Sequence, residues 1–123
     1  MSERQTETLE LVKRCCEALD DKKAMDVRVL DVAGKSSVTD YFVVASGNSE
    51  PHLKALARAL EAALKENGVS VLGIDASPES GWVVVDAFDF MVHIFLEPQR
   101  DHYQLEALWK DAAEVNVGEL MTA

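Results

Sequence analysis

Cysteine is scarce in this chain and badly placed for stapling. There are two, Cys15 and Cys16, and an adjacent pair cannot join distant parts of a fold, so a disulfide framework is excluded and a reducing compartment fits. No Cys-x-x-Cys spacing exists, and two neighbouring thiols alone do not make a metal site. They read as two small, half-buried residues on a helix. Basic residues are also in deficit: 12 Lys and Arg face 22 Asp and Glu, for a formal charge of -10. Nucleic-acid affinity rests on Lys and Arg displacing counterions from phosphates, so this balance counts against sequence-specific nucleic-acid binding. A basic protein partner fits it, and self-repulsion alone favours solubility. No apolar run approaches the roughly 20 residues that span a bilayer. The opening eight residues carry acids and no apolar core, unlike a secretory signal or an Arg-rich transit peptide. A cytoplasmic protein with no membrane partner is expected.

What is present is one domain's worth of chain. At 123 residues, it is long enough to hide roughly two-thirds of its unfolded surface, and it shows no repeat or low-complexity tract. Residues 3–20 place Leu9, Val12, Cys16 and Leu19 at helical spacing. After the polar break at 20–23, residues 27–32 alternate as a strand, 34–37 turn the chain, and 39–45 form a second, more buried strand. Asn48 or Ser49 is a plausible N-cap for a helix with Pro51 in its first turn. Leu53, Leu56, Leu60 and Leu64 make its stripe, and Asn67-Gly68 its stop. A short strand over 69–74, a loop through 77–81, and β-rich runs at 82–86 and 90–96 follow, the last ended by Pro98. A final helix over 101–115 shows Leu105, Leu108 and Trp109. The order is α-β-β-α-β-β-β-α, an α/β fold with a mixed sheet of about five strands flanked by helices.

Enzyme motifs fail on inspection. Gly34-Lys35-Ser36 suggests a phosphate loop, but that loop needs another glycine five residues earlier, where Val29 stands. No helix opens after Ser36 to hold a phosphate. Asp40, Asp86 and Asp89 raise a two-metal site, yet Asp86 and Asp89 flank a hairpin turn, where solvated aspartates are ordinary. His52, His93 and His102 have no Gly-x-Ser-x-Gly elbow or loop cysteine to serve. No enzymatic activity, catalytic residue, metal or cofactor is expected.

The hairpin carries more information. A register with an even number of turn residues pairs Asp86 with Met91 and Val84 with His93. One face then holds Val83, Val85, Phe90, Val92, Ile94 and Leu96, all core. The other holds Trp82, Val84, Asp86, Met91, His93 and Phe95. That mixture of aromatics, Met, carboxylate and imidazole suits a contact surface, and coverage by the terminal helix is the competing reading.

Four blocks carry a family resemblance: Gly34-Lys-Ser-Ser-Val-Thr-Asp-Tyr-Phe42, Gly81-Trp-Val-Val-Val-Asp86, Val92-His93-Ile94, and Arg100-x-x-Tyr103-x-Leu105-Glu106-x-Leu108-Trp109. In order and spacing they resemble the Iojap family of ribosomal silencing factors, over roughly residues 8 to 112. The resemblance implies a nucleotidyltransferase-like α/β fold without catalytic carboxylates. It implies binding to a ribosomal protein of the large subunit, the fourteenth in its standard naming, at the intersubunit face. Association with the small subunit is thereby blocked and translation repressed under starvation. A nucleotidyltransferase-type enzyme, a large-subunit assembly factor and an oligomeric scaffold are the alternatives, and a homodimer of the free protein is left open. The family domain is expected over residues 1–112. The tail over 113–123 lies outside the pattern and is a candidate for disorder. The expected partner surface is Trp82, Asp86, Met91 and His93, extended by Thr39 and Asp40 on a neighbouring strand and by Tyr103 near the start of the last helix.

Overall fold

The computed structural model describes residues 3–33, 39–69, 71, 73–77, 80–87, 89–103 and 113–122; the side chains of 3–6, 75–77, 102, 103 and 122 fall outside that description. The elements are α1 (Glu3–Asp21), β1 (Met25–Asp31), β2 (Tyr41–Gly47), α2 (Glu50–Glu66), β3 (Gly73–Ser77), β4 (Trp82–Asp86), β5 (Phe90–Leu96), α3 (Glu97–Tyr103), β6 (Ala113–Val115) and α4 (Val117–Thr122). Six strands form one sheet in the order β3-β4-β5-β2-β1-β6. β2 and β5 run parallel at its centre, and the other pairs are antiparallel. The α/β reading holds, with one strand more than expected.

α2 shows why its sequence folds as it does. The Ser49 hydroxyl accepts from the backbone N–H of His52 at 3.2 Å, capping a helix whose first turn holds Glu50 and a proline. The stripe Leu53, Leu56, Ala57, Leu60 and Leu64 is buried. The chain leaves through Asn67 and Gly68, whose φ of 74° suits glycine. In α1, Val12, Cys15, Cys16 and Leu19 are all buried. The cysteines are therefore core residues rather than half-buried ones, and burial pushes both thiols up to about 12. One face of the sheet, with Val29, Val43, Ala45, Val83, Val85, Phe90, Val92 and Ile94, joins these residues in the main core. Among the described residues, no helix is long and apolar enough to cross a membrane.

Three boundaries differ from expectation. The third strand is Gly73–Ser77, four residues later than its expected start at 69, because the chain after Gly68 first runs along the core, with Val69 and Val71 packed on it. α3 begins at Glu97, directly after β5, with Pro98 inside its first turn rather than ending the strand. A proline's missing N–H has no intrahelical partner there in any case. Residues 113–115 are a strand, neither the end of a helix nor a disordered tail: Val115, Glu114 and Ala113 pair with Val29, Leu30 and Asp31. They give the outer edge of β1 a backbone partner, and Val115, Val117, Leu120 and Met121 pack on the core. Leu105, Leu108 and Trp109 lie outside the described residues.

Candidate functional site

The β4–β5 hairpin has the expected register, with Trp82 opposite Phe95, Val84 opposite His93 and Asp86 opposite Met91. Side-chain alternation turns these six residues to the sheet face away from α1 and α2. β2 adds Phe42 and Val44 to that face, since they pair with Met91 and His93. The face is not uniform. Phe42, Val44, His93 and Phe95 are buried, whereas Trp82, Val84, Asp86 and Met91 are half-buried. The β4 row and Met91 are thus the part of this face that is open to solvent. Along β2 and β5 the same face is interior, and Leu30, Val32 and Phe42 form a second small core on which Met91 packs.

The aromatic side chains of this face are in register with one another. Trp82 stacks on Phe95 with ring centroids 5.1 Å apart, and its indole N–H donates to Nδ1 of His93 at 3.1 Å. His93 meets Phe42 at 5.3 Å. Burial pushes the His93 imidazole down to about 4, so it is neutral at neutral pH. An expected surface histidine is therefore an interior one, because the rings of Trp82, Phe42 and Phe95 surround it.

Aspartates collect where β2 begins and β4 ends. The Asp40 backbone N–H donates to the Asp89 carbonyl at 3.0 Å, joining the two segments. Burial, then the charges of Asp31 and Asp40, raises the pKa of the Tyr41 hydroxyl. Thr39 is buried, and its hydroxyl donates to the Tyr41 carbonyl at 3.4 Å, while Asp40 is half-buried. Neither belongs to the strand itself, which starts at Tyr41. Tyr103 closes the described part of α3 rather than opening that helix. His52 is structural: its Nδ1 accepts the Asn48 N–H at 2.9 Å and its Nε2 donates to the Lys22 carbonyl at 2.7 Å. Among the described residues, no group of three or more His, Cys, Asp or Glu could hold a metal ion.

Charge is divided between the layers. Residues 7–24 and α2 together carry eight acidic and seven basic side chains. On the strands, their turns and α3, the described side chains include eight acids (Asp26, Asp31, Asp40, Asp86, Asp89, Glu97, Asp101 and Glu114) against Arg28 and Arg100. Arg100 is buried, and Arg28 lies 3.4 Å from Asp26 and 3.8 Å from Glu114. Among the described side chains, the acidic excess therefore lies on the strands, their turns and α3 rather than on α1 and α2.

The model of the family described as "Ribosomal silencing factor during starvation" matches residues 5–123. The chain belongs to this family. It is 41% identical over 102 residues to the ribosomal silencing factor RsfS of Bacillus subtilis (strain 168), covering 83% of this chain and 86% of that one. A crystal structure of a protein from Chromobacterium violaceum superposes with a TM-score of 0.79 at 40% identity, covering 89% of this chain and 88% of that one. A mouse protein named for mitochondrial assembly of the ribosomal large subunit is 33% identical over 94 residues, 74% of this chain and 41% of its own length. The family match reaches through the tail that had been set outside the pattern.

Sequence reasoning missed two contributors to this region. Phe95 was placed on the right face, but its stacking under Trp82 follows only from the pairing. Arg100 was noted only as part of a family block. It is buried and donates from Nη1 to the Ser46 hydroxyl and the Asp26 carbonyl, both at 2.8 Å. No signal in the sequence distinguishes a buried arginine from a surface one.

Proposed function

We propose that this chain binds the large ribosomal subunit through a basic ribosomal protein, the fourteenth in its standard naming, and holds its own bulk at the intersubunit face. The small subunit is then excluded by overlap, and translation falls under starvation. The observation that carries this reading is the half-buried row Trp82, Asp86 and Met91 on the acidic side of a ribosomal silencing factor. An aromatic and a thioether supply apolar contact area, Asp86 accepts from a Lys or Arg, and the surrounding acids steer a basic partner while repelling rRNA phosphates. Asp40 and Tyr103 are further candidate contacts. Thr39 and His93, both buried, act through their neighbours rather than by contact.

Exclusion by overlap needs no bond to be made or broken, so the protein works as a non-enzymatic, cytoplasmic repressor. The test is sedimentation of purified chain with isolated large subunits, followed by addition of small subunits. Co-sedimentation and a fall in 70S-type particles support the reading. Free large subunits joining as fast with the protein as without it would overturn it. Turnover of nucleoside triphosphates in the presence of a divalent metal would point to an enzyme instead.

A second reading, assistance in large-subunit assembly, is favoured by the similarity to the mouse mitochondrial protein. It predicts that loss of the chain leaves precursor particles during growth. Silencing alone predicts mature large subunits that join too readily.

A further inference from the structure

Trp82 is the largest side chain in the proposed docking row, and its ring is held from two sides. Phe95, its cross-strand partner, lies under it with an interplanar angle of 25°. His93, the diagonal neighbour on β5, accepts its N–H at 3.1 Å. The two residues differ in access: Trp82 is half-buried, while His93 is 6% exposed and cannot meet a partner directly.

The imidazole is an awkward choice for that position. Because Nδ1 accepts from the indole, the neutral ring carries its proton on Nε2. Nε2 is buried and makes no hydrogen bond among the described residues. A buried donor without an acceptor lowers folding stability, and a phenylalanine of similar shape would escape that penalty. What His93 offers and phenylalanine lacks is the acceptor at Nδ1. Desolvation keeps this acceptor unprotonated at neutral pH.

We infer that His93 is a positioning residue, whose Nδ1 fixes the indole of Trp82 in the orientation that meets the partner. The inference rests on the reading of Trp82 as part of the docking row. An indole without that hydrogen bond samples other angles about its side-chain bonds, and the ordering cost falls on the binding step. The fold does not need the bond, but the anchor does.

Three variants separate these roles: His93→Phe removes the acceptor and the orphaned donor together; His93→Asn restores an acceptor, Oδ1, close to where Nδ1 stood; Trp82→Ala removes the anchor. The two His93 variants are read by the indole N–H resonance of Trp82, and all three by thermal unfolding and by binding to isolated large subunits. His93→Phe should move the Trp82 indole resonance upfield and weaken binding about three- to tenfold, with the melting temperature unchanged or raised. His93→Asn should keep the indole shift and recover most of the affinity even if it melts earlier. An unmoved indole resonance in His93→Phe overturns the inference. So does wild-type binding by His93→Phe while Trp82→Ala binds weakly, an outcome that leaves the docking row standing. Wild-type binding by Trp82→Ala removes the docking row itself, and the inference with it. Parallel loss of melting temperature and affinity in His93→Phe, without rescue in His93→Asn, makes His93 an ordinary core residue.

Discussion

Arg100 and Ser46 are 54 residues apart in sequence, yet the guanidinium of one donates to the hydroxyl of the other at 2.8 Å. The same Nη1 donates to the Asp26 carbonyl at 2.8 Å, and Nη2 lies 3.4 Å from the Asp26 carboxylate. One buried cation thus ties α3 to the end of β2 and to the start of β1. Asp26 needs the tie, because its φ is 47° and the β1–β2 register shifts between Met25 and Arg28. Hydrogen bonds to a charged group contribute about 1.5–3 kcal/mol each before the exposed Asp26 carboxylate is discounted for solvent. Arg100→Met should lower unfolding stability by about 2 kcal/mol in urea titration. Arg100→Lys should recover little of it, because an ammonium lacks the planar fork that reaches separate acceptors. Wild-type stability in Arg100→Met would mean that α3 docks on apolar contacts alone.

Two glycines with similar backbones should respond differently to the same substitution. Gly81 and Gly68 have φ values of 77° and 74°. A Cβ on Gly81 would stand 2.7 Å from Cδ of Gln99, whereas one on Gly68 would meet nothing within 4 Å. Left-handed backbone alone costs an alanine about 1–2 kcal/mol. Gly68→Ala should lose only that, and Gly81→Ala about 1–3 kcal/mol more from overpacking against α3. Thermal unfolding of the two variants side by side checks the difference. Equal losses would show that Gln99 moves aside freely.

The residues that were legible in the sequence share a property: their neighbours along the chain carried the signal. The hairpin register followed from alternation in two adjacent strands, and the bounds of α2 from a cap, a leucine stripe and a glycine stop. β6 was illegible because Ala113-Glu114-Val115 is too short to show a period, and its pairing depends on an edge more than 80 residues upstream. The start of α3 is ambiguous in sequence because Pro98 is compatible both with the end of a strand and with the first turn of a helix. Of the site, Trp82, Asp86 and Met91 could be placed on one face but not ranked by burial. The interior position of His93 comes from the rings of Trp82, Phe42 and Phe95 around it, and Phe42 reaches it through the parallel β2–β5 pairing, which leaves no local trace.

The docking row makes a prediction with two separable parts. Trp82→Ala removes the largest apolar contact and should weaken binding to large subunits by about 2 kcal/mol, roughly thirtyfold. Its fold should survive with a modest loss, since the ring is half-buried and belongs to neither apolar core. Asp86→Asn keeps the shape and removes one charge. It should weaken binding at low salt and approach wild type as screening shortens the reach of the field. Titrations at two salt concentrations, with circular dichroism as the folding control, read both. A salt-independent effect of Asp86→Asn would replace steering by a direct, desolvated contact.

Acid should destabilise the fold partly through His93, and the sign can be worked out. Burial takes this imidazole from 6.5 in the unfolded chain to about 4 in the folded one. Between those values the unfolded state binds the proton and the folded state does not, so stability falls as pH drops through 6.5 and levels off near 4. At about 1.4 kcal/mol per pH unit, the full effect is about 3 kcal/mol. The wild type alone does not isolate this effect, because the chain also carries 22 acidic residues. His93→Phe does, because it lacks the group and keeps the rest. The difference in unfolding free energy between His93→Phe and wild type should widen in favour of the variant from pH 7 to pH 4, and then stay constant. A difference that does not change with pH would place His93 in contact with water, and the Trp82 hydrogen bond would then compete with solvent.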